Sequence, residues 1–324
     1  MISAKIDSLS QNDVIILTYH RVLPKNEITE WIQPGMYVEP KTLEMHLRFL
    51  HDHFNIISIN DIATLPGRND LHVKGKPLCV LTFDDGWHDF YNHAFPILKT
   101  YGAKATVFLP TDFIGTEKWF WSDKLSYLLY QNKNAKQANN DIRCGTDSLG
   151  HILERAFTSD NANPDIIINR TKRYRQDEIE NVLSLVSNKY NLTLSPHGRA
   201  FLSWQEVKKL SDSGIITVGS HTATHRILTT LNKSEIQDEL MISRKKLIHE
   251  NLIERSLVPF CYPNGDYNSE VAALVKDSGY ILAVTTEKGR NCLGNDIFTL
   301  KRIGMHEDVS RTESMFAYRI YGAL

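Results

Sequence analysis

Short apolar runs rich in β-branched residues recur along the chain, and helix-period stretches separate most of them. Residues 14–18 (VIILT), 56–59, 78–83 (LCVLTF), 105–109 (ATVFL), 215–218 (IITV), 258–262, 281–285 (ILAVT) and 297–303 have this character. Continuous apolar runs bounded by turn residues predict strands covered on both faces. Between them, Pro40 opens a predicted helix with Leu43, Leu47, Leu50 and Phe54 on one side. Asn232 and Glu235 have capping-box spacing ahead of a long helix through Ile236, Leu240, Leu247 and Ile248. Asn268 is placed to cap a third, carrying Val271, Leu274 and Val275, with Gly279 to end it. Strand–helix alternation means a parallel sheet with helices outside. Seven or eight such units suit a closed or nearly closed (β/α) barrel better than an open sheet.

The rhythm lapses between about residues 117 and 200. No strand is predicted there, and residues 119–130 and 176–189 read as helices. The polar stretch 131–141 (QNKNAKQANND) reads as a loop. The expected organisation is therefore one α/β barrel domain, residues 1–324, with a mainly helical insertion at about 117–200. No internal repeat is evident.

Composition narrows the class without choosing a chemistry. The 324 residues carry 37 Lys plus Arg against 38 Asp plus Glu, a formal charge of -1. That balance argues against bulk nucleic-acid binding, which needs a basic surface to release counterions. The four cysteines, Cys79, Cys144, Cys261 and Cys292, are far apart, so neither a disulfide framework nor a cysteine zinc site is expected. No stretch approaches the ~20 apolar residues of a membrane span, and the first residues, MISAKIDSLSQND, lack an apolar signal run. On that basis the chain as given is expected to be cytoplasmic.

In parallel α/β folds, chemistry gathers where strands end. Three predicted strands end in unusual polar groups. The first runs into Thr82-Phe83-Asp84-Asp85-Gly86. Adjacent carboxylates after a buried strand repel unless a cation lies beside them; a helix cap followed by an Asp-Gly turn is the plainer reading, and stands even with it. The second gives Ser220-His221-Thr222-Ala223-Thr224-His225. Histidines at i and i+4 suit two imidazoles on one ion, although two unrelated histidines are the commoner meaning of that spacing alone. Taken together, Asp85, His221 and His225 form an Asp-His-His set that leaves room for water and substrate, with Asp84 spare as a base. The third is Pro259-Phe260-Cys261-Tyr262-Pro263-Asn264-Gly265, a tight loop able to aim backbone N–H groups into a site, or simply a strand-to-helix turn.

T-F-D-D-G, H-T-A-T-H after a strand, and the P-N-G loop together resemble the polysaccharide deacetylases of carbohydrate esterase family 4. The T-Y-H-R-V start at residues 18–22, the A-T-V-F-L strand and the S-W-Q-E-V-K-K-L segment at 203–210 extend the likeness over most of the chain. The resemblance implies a distorted (β/α) barrel, often of seven strands. It also implies a metal-dependent N-deacetylase acting on an N-acetylated carbohydrate: a polysaccharide, an oligosaccharide, or a lipid- or nucleotide-linked precursor. Carried over by residue, Asp84 is the catalytic base. Asp85, His221 and His225 bind the divalent metal, usually Zn2+, and the N–H of Asn264 helps hold the oxyanion.

Two departures stand out. Many members carry an arginine in the third motif that braces the catalytic aspartate, and Cys261 occupies that place here. Arg302, grouped with Asn264 on the substrate and oxyanion side, is the candidate for the missing cation; a surface ion pair is the alternative. The family's general-acid histidine lies in a short L-x-H motif that Met305-His306 resembles incompletely, so His306 is the expected acid, with His20 at the end of the first strand as its rival. Trp87, Trp119, Phe120 and Trp121 are read first as core and second as sugar-stacking groups. The remaining histidines lack a ligand-like pattern. A hydrolase of cyclic imides and a non-catalytic carbohydrate-binding barrel are the competing functions.

Overall fold

The computed structural model describes residues 13–64, 76–135, 148–159, 162–252, 257–292 and 296–322. Its strands are β1 (Asp13–Tyr19), β2 (Arg21–Val22), β3 (Tyr37–Val38), β4 (Asn55–Ile56), β5 (Leu78–Phe83), β6 (Ala105–Leu109), β7 (Ile216–Ser220), β8 (Pro259–Cys261), β9 (Leu282–Val284), β10 (Asn291–Cys292) and β11 (Ile303–Gly304). Parallel pairing runs β1-β5-β6-β7-β8-β9. The segment after β9 then closes the ring. Leu300 exchanges backbone hydrogen bonds with Ala283 and Thr285, Ile303 pairs with Leu17, and the Met305 N–H reaches Thr18 at 2.8 Å. The chain thus forms a mixed α/β fold with a curled, distorted barrel sheet, and the seventh member of the ring is the irregular stretch 300–304.

That irregularity corrects the expectation of a full strand at 297–303. Within it only Ile303 belongs to a strand and Leu300 makes an isolated bridge, and the backbone of Arg302 turns aside to bond Glu287. The apolar runs at 78–83 and 105–109, by contrast, are β5 and β6 residue for residue. All of their residues are buried, as parallel strands between helices and a barrel interior require.

The interior explains where the site must lie. Side chains alternate across a strand. Val14 lies opposite Leu78, Ile16 opposite Val80, and both layers belong to the apolar core with Phe108, Leu282 and Val284. The next layer up pairs Thr18 with Thr82, and one step beyond it lies Asp84. The core therefore turns polar towards the C-terminal ends of the strands. Outward residues pack on the helices: Tyr19 hydrogen-bonds His46 of the helix Pro40–His53, and Phe83 meets Phe90 edge-on.

The helix ends follow the sequence signals. Asn232 and Glu235 make the expected capping box at Lys233–His249, and Asn268 caps Ser269–Asp277, after which Gly279 takes φ 83°.

The chain divides into two compact units, one of residues 1–25, 34–116 and 201–324, the other of 26–33 with 117–200. The second unit is helical among its described residues. It contains Trp121–Ala135, Leu149–Thr158, Pro164–Thr171 and Gln176–Tyr190 around its own apolar centre of Leu125, Leu128, Leu153, Phe157, Ile168, Ile179 and Leu183. Trp31 packs edge-on against Trp119 and Tyr127. Two of these helices were not expected. The predicted loop 131–141 is helical as far as Ala135, and its remainder lies outside the described residues, as do Cys144 and the N-terminal dozen.

Candidate active site

Asp84 and Asp85 follow β5 directly, and their backbones diverge. Asp84 continues the strand, its N–H bonded to the Tyr19 carbonyl at 2.9 Å. Asp85 turns to φ 72° and Gly86 to φ 65°. A Cβ on Gly86 would fall 2.5 Å from Leu109 Cδ2, so glycine is required by space as well as by φ. The reversal sends the two carboxylates in different directions and gives each its own partners.

Asp84 is buried and grips Arg302 in a fork. Arg302 Nη1 donates to Oδ1 and Nη2 to Oδ2, both at 2.7 Å. The guanidinium spends its other N–H groups on the Thr285 carbonyl (2.7 Å), Thr82 Oγ1 (3.1 Å) and Cys261 Sγ (3.2 Å). All five donors of the fork are therefore engaged. This corrects the grouping of Arg302 with oxyanion-facing residues: at 1% exposure it has no N–H left for a substrate. It stands instead where the missing brace is needed, reached from the last strand rather than from the third motif. Burial opposes ionisation of Asp84, but the charge and hydrogen bonds of Arg302 outweigh it and hold the carboxyl below its ordinary value.

Asp85 faces the two histidines. Its Oδ1 lies 3.5 Å from His221 Nε2 and 3.3 Å from His225 Nε2, while Oδ2 accepts from the Trp87 indole at 3.0 Å. Ligand atoms of these three side chains lie within 4.8 Å of one another. Trp87 is core, as expected, and also fixes the carboxylate. His221 continues β7, its backbone N–H on the Leu109 carbonyl and its ring Nδ1 2.8 Å from the Cys261 carbonyl. A carbonyl only accepts, so Nδ1 carries the proton and Nε2 presents its lone pair to Asp85. Burial, then the charge of His225, lowers the His221 pKa to about 4, so the ring is neutral at ordinary pH. A neutral imidazole lone pair 3.5 Å from a carboxylate oxygen is repulsive unless a cation lies between them. The donor set thus fits a divalent metal: one carboxylate and two imidazoles, with the His221 proton on its outward nitrogen.

A second cluster, Asp84, His221 and Cys261, is equally compact. It is a poor cation site, because the Arg302 guanidinium already lies on two of its three members. Burial also pushes the Cys261 thiol well up, against the thiolate a metal needs.

The histidine loop is backbone-strained. Thr222 has φ 66° and His225 φ 59°, a region that costs a non-glycine residue about 1–2 kcal/mol. Thr222 Oγ1 accepts the His225 N–H at 2.9 Å. Glu239, from the helix Lys233–His249, accepts the N–H groups of Ala223 (3.0 Å) and Thr224 (2.8 Å) and the Thr224 hydroxyl. Sequence reasoning passed over Glu239. The signal was there: a carboxylate on the stripe of Ile236, Leu240 and Leu247, where an apolar residue belongs, and it is buried like them.

Asn264 takes φ 60° inside the turn Pro263–Gly265. Its amide donates to Asp266 at 2.7 Å and its carbonyl accepts from Thr286 at 3.2 Å, which fixes the plane of the turn. His306 lies just after β11, at the N-cap position of Glu307–Ser310 but without a capping bond from its side chain. Its ring is partly buried, 4.0 Å from the Asp308 carboxylate, and burial with the charge of Arg319 lowers its pKa. His20, at the end of β1, is within electrostatic reach of Asp84, Asp85 and His306. The structure therefore brings Asp84, Asp85, His221, His225 and Arg302 into direct contact. His306 feels the charge of His20, which in turn acts on Asp84 and Asp85.

A profile of the polysaccharide deacetylase family matches residues 72–283, the span from before the paired aspartates to β9. The chain belongs to the polysaccharide deacetylase family. It is accordingly a hydrolase of a non-peptide carbon–nitrogen bond, a deacetylase of N-acetylated sugars. YxkH of Bacillus subtilis (strain 168), whose name assigns it to the same family, is 25% identical over 296 residues, covering 91% of this chain and 72% of that protein. Among solved structures, the deacetylase PplD of Streptococcus pyogenes superposes with a TM-score of 0.58 at 20% identity, over 92% of this chain and 94% of its own. IcaB from Ammonifex degensii gives 0.60 at 16% identity, over 95% and 98%. These two likenesses speak for the barrel.

Proposed function

We propose that this deacetylase holds one divalent cation, zinc, on Asp85, His221 and His225, and cleaves the acetamide of an N-acetylated sugar with Asp84 as base. The observation that carries the proposal is the division of labour between adjacent carboxylates. One faces two imidazole Nε2 atoms, and the other is held ionised by a guanidinium. Zinc suits a mixed carboxylate–imidazole set with open positions. A bound cation would supply Lewis acidity towards the amide carbonyl and a nearby water.

The chain's own groups supply the rest. Asp84 takes the proton of the attacking water, and Arg302 keeps it ionised and aimed. The Asn264 N–H, fixed by the Pro263–Gly265 turn, faces the oxyanion. His306 returns a proton to the leaving amine, without which an amide is a poor leaving group. His20 has its own claim on that last role, because it reaches both carboxylates electrostatically. We read the chain as one barrel domain with residues 117–200 inserted between β6 and β7. Acetate release from N-acetylglucosamine oligomers, with and without a chelator, tests the proposal. Release that survives complete metal removal contradicts it.

A further inference from the structure

The histidine loop cannot hold its shape by itself. Two of its five residues lie at positive φ, and two successive N–H groups, those of Ala223 and Thr224, point away from the site towards one carboxylate. That carboxylate, Glu239, is buried at 6% exposure and also accepts the Thr224 hydroxyl. It comes from a different element, a helix begun by its own capping box, so its position is set independently of the loop. The neighbouring turn of that helix is tied to β7 as well, Ser243 Oγ lying 2.7 Å from Ser220 Oγ.

We infer that Glu239 is a positioning residue that presets the spacing of His221 and His225 for the cation, and so sets metal affinity rather than the chemical step. The inference rests on the reading of Asp85, His221 and His225 as metal ligands. Three donors on one anchored carboxylate hold the loop in its strained form before the ion arrives. Without them the loop relaxes, and the ion must restore the strained form as it binds. Partners one step removed from a metal commonly change its affinity 10–100-fold when mutated.

The test is zinc titration of the chelator-stripped full chain against a chromophoric competitor. Wild type, Glu239→Gln, Thr224→Val and Asp238→Asn are compared, together with their melting temperatures without metal. Asp238 is the exposed neighbour on the same helix and controls for charge. Glu239→Gln is expected to bind zinc about 10–100-fold more weakly, Thr224→Val to shift the same way by less, and Asp238→Asn to match wild type. At saturating zinc, KM for the sugar stays unchanged in Glu239→Gln and kcat recovers to within a few-fold. A purely structural role would lower the melting temperature and leave the zinc affinity of the folded protein unmoved. Should Glu239→Gln fail to fold, Thr224→Val decides alone: unchanged affinity overturns the inference. Equal tight binding by all four proteins overturns it as well. A wild type that takes up no zinc instead overturns the metal-site reading beneath it.

Discussion

Replacing Arg302 by methionine removes the only cation in direct contact with Asp84 among the described residues, while keeping much of the side-chain volume. The carboxylate left behind is 3% exposed. Removing one partner of a buried ion pair costs on the order of 3–5 kcal/mol, because the survivor keeps its desolvation penalty. Asp84 can escape most of that penalty by taking up a proton. Burial already pulls its pKa upwards, and the charge and hydrogen bonds of Arg302, ahead of His221 and His20, reverse the direction. In the variant the pKa should rise above its ordinary value, as for other buried unpaired carboxyls. The assay is acetate release across pH 5–9 at saturating metal. Wild type, with Asp84 held below its ordinary value, should show no acid limb from this group. Arg302→Met should acquire one, with kcat/KM at pH 7 down by roughly 10²–10³ and recovering as pH rises. A second substitution sharpens the test. Cys261 Sγ lies 3.2 Å from Arg302 Nη2, so the volumes the two side chains occupy are contiguous. Cys261→Arg in the Arg302→Met background returns a cation from β8, and should recover part of the activity and flatten the acid limb. An Arg302→Met enzyme with the wild-type pH profile would refute the reasoning, whatever its overall rate.

Asp84→Asn should lower kcat by about 10²–10⁴ while zinc content and KM stay near wild type, since a base acts in the chemical step and not in binding; loss of zinc with the activity would move Asp84 into the metal site. His306→Gln and His20→Gln, compared on substrates with good and poor leaving amines, should separate the acid from its neighbour: the acid's variant loses about 10²-fold or more on the poor leaving group and far less on the good one. His46, buried between Tyr19 and the Ser310 carbonyl, has its pKa lowered to about 4, chiefly by burial. The unfolded chain then binds more protons than the native one between about pH 6.5 and 4, so stability falls as pH falls through that window, by about 3 kcal/mol from this ring. Urea unfolding of His46→Gln at pH 7 and pH 4.5 should show a smaller pH difference than wild type, and equal differences would remove His46 from the acid sensitivity.

How much of this was legible beforehand depends on whether local pattern or tertiary contact fixed it. The runs 78–83 and 105–109 became strands without adjustment, because a short stretch without charge and almost wholly apolar has few alternatives to a doubly covered strand. The segment 297–303 shares their apolar and β-branched residues but also carries Lys301 and Arg302, and it forms little strand. Its backbone must bond β9 at one end and β1 at the other, and Arg302 must turn inward between them. The metal set was readable because its residue types and strand-end positions are unusual together. The relocated arginine was readable only as a question, since nothing in the sequence says that residue 302 closes the barrel beside residue 261. Glu239 was readable in principle, as a carboxylate on an apolar helical stripe. Without the loop above it, that pattern does not say what the carboxylate holds.

The most direct test of the account is the metal content of purified, active protein, measured by elemental analysis alongside acetate release. The account predicts one divalent ion per chain in wild type, and loss of both ion and activity in His221→Ala and in Asp85→Ala. Full activity with no stoichiometric ion, or ion retention by both variants, would contradict it.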